Sequence, residues 1–149
     1  MDPLDRRRTR ILARLATRVS RALQTDTIAY LQELGYPITL AHNQVLIPLD
    51  QEGTRISELA RRASISAQAV GKLVDELTAL GLVKREVDPT DRRARIVSYT
   101  DRGRELVTVA LSRLESQHDR IADILGTERF EPFAEDLVRL AAALDPEGF

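Results

Sequence analysis

Residues 56–81 read ISELARRASISAQAVGKLVDELTALG. Ile56, Leu59, Ala60 and Ala63 recur at i, i+3, i+4 and i+7, one apolar face of a short helix with Ser57 as its predicted N-cap. Ser64, Ile65 and Ser66 leave room only for a tight turn. Ser66 then caps a second helix whose inner stripe is Val70, Leu73, Val74, Leu77 and Leu80. Gly81 follows as the glycine that ends it. Two helices joined by so short a turn form a helix-turn-helix.

Working outward, the period changes after Gly81. Leu82–Val87 and Arg95–Tyr99 are β-prone runs, and Asp88-Pro89-Thr90-Asp91 between them is dense in turn residues, which predicts a hairpin with a basic tip. Thr100 caps a long helix to about Leu125, where Gly126-Thr127 breaks it. A last helix is expected from about Glu131, with Pro132 in its first turn and Phe133, Leu137, Leu140 and Leu144 along it. Towards the N-terminus, Ile11, Leu15, Val19, Leu23, Ile28, Leu31 and Leu34 trace a long helix, with a break expected near Gln24–Thr27, that stops at Gly35-Tyr36-Pro37. Thr39 caps a further helix to about Gln51, kinked at Pro48, with Ala41, His42, Val45, Leu46 and Leu49 inward. The fold class is mainly α with a small β-hairpin.

The chain of 149 residues is 43% apolar and 30% charged, which suits one globular unit. No apolar run approaches the ~18 residues of a membrane span, and the charged start leads into no apolar leader core. A cytoplasmic protein is expected. The absence of cysteine removes disulfides, thiolate chemistry and Cys-type zinc sites, and two histidines make no metal cluster. No cofactor and no metal are expected. The net charge of −1 hides an uneven distribution: residues 55–104 hold eleven basic and seven acidic groups, whereas residues 105–149 hold four basic and ten acidic. A basic middle suits nucleic acid but equally suits an uneven solvated surface.

With the inner stripe buried, the second helix of the pair presents Gln68, Ala69, Lys72 and Asp75. That face is small and polar near its start, so it can approach a major-groove floor. Gln68 can pair with an adenine edge, Lys72 with guanine or a phosphate, and Ser66 with a phosphate beside free backbone N–H groups. Arg92, Arg93 and Arg95 crowd a hairpin tip where folding requires none of them, and Arg95 is a phosphate candidate. Each of these positions taken singly also reads as ordinary solvated surface. Arg61 and Arg62 stay open between phosphate contact and water. Arg6, Arg7, Arg8 and Arg10 read as a solvated N-terminal segment. Gly103 lowers helix stability by roughly 1 kcal/mol relative to Ala, so a close approach to the base of the hairpin is its expected use.

The order ISELARRASISAQAVGKLVDELTALGLVKR, then DPTDRRAR, then YTDRG over residues 56–103 resembles the MarR family of bacterial winged helix-turn-helix transcription factors. The flanking helices match in length and order. Tyr99 departs from the family, which more often places Leu before the Thr-x-x-Gly. The resemblance implies a winged helix-turn-helix at 39–100 and a helical dimerisation domain built from 1–38 and 101–149. It implies a homodimeric regulator, a repressor on a pseudo-palindromic operator in double-stranded DNA, released by a small aromatic or phenolic effector. It makes Arg93 the minor-groove residue of the wing and Asp91 its steadying partner. It also puts an effector cavity between the first, second and fifth helices, where Tyr30, Tyr36, His42 and His118 are the polar candidates. Val107, Leu111, Leu114, His118, Ile121 and Leu125 form a heptad-like seam with that histidine inside it. A plain hydrogen-bonded core or interface role fits all four as well. A dimeric protein-interaction module on the same scaffold is the alternative function, and no nucleophile–base pair or phosphate loop points to an enzyme. Operator, regulated genes, effector and the sign of regulation are not legible.

Overall fold

The structure, a computed structural model, describes residues 11–145. Arg6, Arg7, Arg8 and Arg10 lie outside the described residues. Helix α1 spans Leu12–Glu33 without the break expected at Gln24–Thr27. Those polar side chains find partners that leave the helix intact. The Thr27 hydroxyl donates to the Leu23 carbonyl at 3.1 Å, and Asp26 accepts two bonds from Arg113 at 2.9 and 3.0 Å.

A 3-10 turn at Leu40–His42 runs into the single-turn helix α2, Asn43–Leu46. The helix expected to reach Gln51 is therefore cut short, because Pro48 has no N–H to continue the ladder. Strand β1, Thr54–Arg55, was not legible in the sequence. It delivers the chain extended into α3, Ile56–Ala63, so Arg55 and not Ser57 is the N-cap (φ −64°, ψ 143°). Ser64 takes the left-handed conformation (φ 53°, ψ 39°) in the turn. Helix α4, Ala67–Ala79, starts where predicted, with the Ser66 hydroxyl accepting from the Ala69 N–H at 3.1 Å.

Strands β2, Val83–Val87, and β3, Arg95–Tyr99, form the hairpin, with Val83 opposite Tyr99 and Val87 opposite Arg95. Thr54 and Arg55 pair with Val97 and Ile96, so the sheet has three antiparallel strands in the order β1-β3-β2. Helix α5, Asp101–Leu125, is capped by Thr100, whose hydroxyl accepts from the Gly103 N–H at 3.0 Å. Helix α6 spans Thr127–Leu144 and begins four residues before the expected Glu131. Gly126 (φ 88°) reorients the chain and the helix resumes at once, which leaves Pro132 in the second turn rather than the first.

The core is one cluster. Leu59, Val70, Val74, Leu77, Leu82 and Val97 are wholly buried, and Leu31 of α1, Ile38 of the segment after α1 and Leu106 of α5 close it. Each such side chain contributes about 1.5–3 kcal/mol relative to exposure. Tyr99 packs beneath the hairpin as expected. Its hydroxyl donates to the Leu46 carbonyl at 2.6 Å, and burial pushes the phenol up to about 12. The buried face of α5 runs through Gly103, Leu106 and Gln117. It lies one position before the expected seam, so His118 faces outward. Helix α6 buries none of its side chains within the protomer.

Candidate nucleic-acid interface

Two elements carry the candidate contacts, and they lie side by side. On α4, Val70, Leu73, Val74 and Leu77 are buried, which turns Gln68 and Lys72 to solvent while Ala69 is half-buried. The Lys72 side chain is 80% exposed and only loosely paired with Glu76, at 3.9 Å. Asp75 is held away from the front of the helix by Arg85 of β2, at 2.9 Å. Ser66 uses a lone pair of its hydroxyl as the cap, and its proton stays available to an acceptor such as a phosphate.

The wing turn lies between β2 and β3. Arg92 and Arg93 are exposed there, and neither guanidinium has an intramolecular partner among the described residues. Asp91 steadies this tip through the backbone: its carboxylate accepts the Arg93 N–H at 3.0 Å. Arg95 folds back, donating to the carbonyls of Arg92 and Ala94 at 3.0 and 3.1 Å. A cleft of about 400 Å³ joins the turn to the starts of α3 and α4, lined by Arg55, Arg93, Arg95, Asp91, Ser57 and Ala67.

Two residues that matter here were not singled out from the sequence. Asp88 is buried inside the wing turn. It accepts from the Thr90 N–H and hydroxyl, both at 2.7 Å, and from Arg55 Nε at 2.6 Å. The Thr90 hydroxyl and amide, with Arg55 behind them, hold its carboxyl down to about 2 against the opposing effect of burial. A depressed pKa means that the carboxylate supports the turn above its ordinary 3.8 and that this support is lost as pH falls towards about 2. In an acid titration followed by NMR, the Thr90 amide signal should therefore move with a midpoint near 2; a midpoint at 3.8 would contradict the bonding described. The only sequence signal was the density of Asp and Thr in the turn.

Arg62, left open by the sequence, is structural. It bonds Glu58 at 2.9 Å, Asp50 at 2.9 Å and the Pro48 carbonyl at 2.8 Å, tying α3 to the loop after α2. Arg61 pairs with Glu58 at 2.8 and 3.0 Å.

The four effector candidates are not brought together. Tyr30 lies under Arg113, 5.0 Å from its ring centre, and Tyr36 under Arg102 at 5.5 Å. His42 is buried, with Nδ1 accepting from the Thr39 N–H and Nε2 facing Glu76, each at 3.1 Å. His118 is exposed beside Phe130, ring centres 5.8 Å apart. None of the four lines the apolar cavity of about 400 Å³ between α1, α2 and α5. Its walls are Ile28, Leu31, Leu46, Leu106, Ala110 and Leu111, with Thr27, Gln24, Asn43, Gln51 and Tyr99 as polar members.

The profile of the MarR family matches residues 36–94. An HTH-type transcriptional regulator of Mycobacterium tuberculosis is 31% identical over 110 residues, which covers 72% of this chain and 73% of that one. The chain belongs to the MarR family. Among solved structures, Rv1404 of M. tuberculosis is similar over 96% of this chain and 95% of its own (TM-score 0.75, 24% identity). The transcriptional repressor CouR, solved on a 23-mer DNA duplex, is similar over 89% of this chain and 94% of its own (TM-score 0.69, 26% identity). As a MarR-family protein it is a DNA-binding transcriptional regulator with the family's winged-helix fold, and family and fold are not those of an enzyme.

Proposed function

We propose that this MarR-family regulator is a homodimeric repressor. Helix α4 enters the major groove through Gln68 and Ala69, with Lys72 on a flanking phosphate, and the wing places Arg93 in the minor groove. Ser66, Arg92 and Arg95 serve the phosphates and Asp91 fixes the wing tip. The observation that carries this reading is the exposed polar start of α4, with Gln68 and Lys72 turned to solvent, beside a wing whose Arg93 has no guanidinium partner among the described residues and lines a cleft that reaches Ala67 at the start of α4. A narrow minor groove concentrates negative potential and so favours an inserted arginine. The similar CouR, a repressor solved on DNA, supports the sign of regulation. Such a repressor works in the cytoplasm on chromosomal DNA; no described helix is long and apolar enough to cross a membrane.

Residues 1–38 and 101–149 form the dimerisation domain in this reading, and 39–100 the winged DNA-binding domain. The protomer leaves Leu15, Val19, Leu111, Leu114, Phe133, Leu137, Leu140 and Leu144 between 38% and 80% exposed along α1, α5 and α6. A row of this kind needs a cover, and a second copy of the same helices supplies one. The two α4 helices then lie about 34 Å apart and demand half-sites ~10 bp apart. Sedimentation at micromolar concentration should show a dimer, and one dimer per duplex when DNA from upstream of its own gene is added. A folded monomer at that concentration would contradict the reading.

The effector is proposed to sit in the apolar cavity between α1, α2 and α5, whose size is within the ~300–1,000 Å³ range of ligand sites. No charged side chain lines it among the described residues, and its polar members are three amides, the Thr27 hydroxyl and Tyr99, whose phenol is already bonded to the Leu46 carbonyl. That set suits a neutral aromatic or phenolic compound better than a carboxylate. In a DNA-release titration, neutral phenols should release DNA and benzoate-type anions should not. Since His118 lies outside this cavity, His118→Phe should leave release unchanged; its loss would return His118 to the effector site.

A further inference from the structure

The basic wing is held at its base by a buried negative charge. Asp88 accepts Arg55 Nε at 2.6 Å on one carboxylate oxygen and both Thr90 donors at 2.7 Å on the other. Arg55 extends the link, donating to the Thr90 hydroxyl at 3.0 Å. Arg55 belongs to β1, is the residue from which α3 starts, and pairs across the sheet with Ile96. The link therefore runs from the helix-turn-helix to the turn that carries Arg93. The other hydrogen bonds of residues 88–94 among the described residues stay within the hairpin: backbone bonds such as Asp91 N–H to the Asp88 carbonyl at 3.3 Å, the Arg93 N–H on the Asp91 carboxylate, and the Arg95 guanidinium on the Arg92 and Ala94 carbonyls.

We propose that Asp88 and Arg55 are positioning residues for DNA binding: their ion pair pins the wing to the start of α3 and so fixes the angle at which Arg93 reaches the duplex. This rests on the reading of Arg93 as a DNA contact. Asp88 itself touches no DNA, being 2% exposed and facing inward. A charge-assisted link to one carboxylate oxygen, braced by the second bond to Thr90, is directional, and a groove contact tolerates little misplacement.

The sign of the effect separates this role from bulk charge. Removing a carboxylate next to a polyanion, and freeing the guanidinium it neutralised, should strengthen binding if charge alone mattered. The pin demands the opposite. Asp88→Asn is the sharpest variant. Its amide oxygen still accepts from Thr90, so the turn closes, while its NH₂ faces Arg55 donor to donor and the pin is cut.

The test is a double-mutant cycle of Asp88→Asn with Arg93→Ala, read by anisotropy on a labelled duplex from upstream of the gene at one fixed salt concentration. Asp88→Asn should weaken binding about tenfold in the parent, the equivalent of about 1.4 kcal/mol. In the Arg93→Ala background it should change binding by less than about twofold, because the residue being aimed is gone. Melting temperatures of the two Asp88→Asn proteins should differ from their backgrounds by the same small amount. Tighter or unchanged binding by Asp88→Asn overturns the pin, and so does an equal loss in both backgrounds. If Arg93→Ala binds like the parent, the wing reading fails and the pin falls with it, an outcome distinct from the other two.

Discussion

Gly103→Ala is expected to destabilise the protein by about 3 kcal/mol, the upper end for overpacking, although alanine is the better helix former by ~1 kcal/mol. A Cβ at this position would collide with the Leu82 carbonyl oxygen and meet Tyr99 Cδ1 at 3.2 Å. Neither neighbour can yield. The Leu82 carbonyl is held by the Thr100 N–H and hydroxyl, each at 3.1 Å, and Tyr99 is anchored through its own hydroxyl to Leu46. At roughly 2–4 °C per kcal/mol for a chain of this size, the melting temperature should fall by about 10 °C. Melting unchanged from the parent would mean that α5 does not start against the base of the wing. A helical glycine inside an otherwise regular capped turn was the sequence sign of this contact.

Arg93→Ala should weaken operator binding by about tenfold to a hundredfold, the range of one lost groove contact of about 1–3 kcal/mol. Its melting temperature should stay within about 2 °C of the parent, since an exposed residue away from packing features changes stability by under ~0.5 kcal/mol. Lys72→Ala makes a useful contrast. As a phosphate contact it should weaken all duplexes alike and reduce the salt slope by about 0.9 per phosphate released. Parent-like binding by Arg93→Ala would remove the wing from the interface.

Much of the fold was legible because local chemistry and global packing agree. Ser66 and Thr100 are helix caps in sequence and in structure, and the stripe Val70, Leu73, Val74, Leu77 is the buried face of α4. What escaped reading depends on distant neighbours. Strand β1 is two residues long and too short to show alternation; only its partner β3 makes it a strand. Helix α1 crosses its polar run because Asp26, Thr27 and Gln117 satisfy one another between α1 and α5. On α5, Val107, Ile121 and Leu125 of the expected seam are half-buried and Leu111, Leu114 and His118 are exposed in the protomer, while buried Gln117, a polar residue beside the seam, gave no apolar signal to read.

At the candidate site the types of residue were legible and their division of labour was not. Two aspartates three positions apart share the wing turn. The family resemblance favours Asp91, yet Asp88 is the buried one that links the turn to Arg55. Arg62 stays open in the sequence between phosphate contact and water, and its three intramolecular bonds give it a structural role instead. The chemistry of the apolar cavity could not be read at all, because its walls come from α1, the region of α2 and α5 at once.

Helix α4 and the wing are expected to read sequence in double-stranded DNA together. The most direct measurement is the affinity for the duplex upstream of its own gene against a scrambled duplex of equal length and composition, at physiological salt. The expected result is a preference of at least about 10³-fold, with protection of two half-sites ~10 bp apart. Equal affinity for the two duplexes, falling away together as salt is raised, would contradict it.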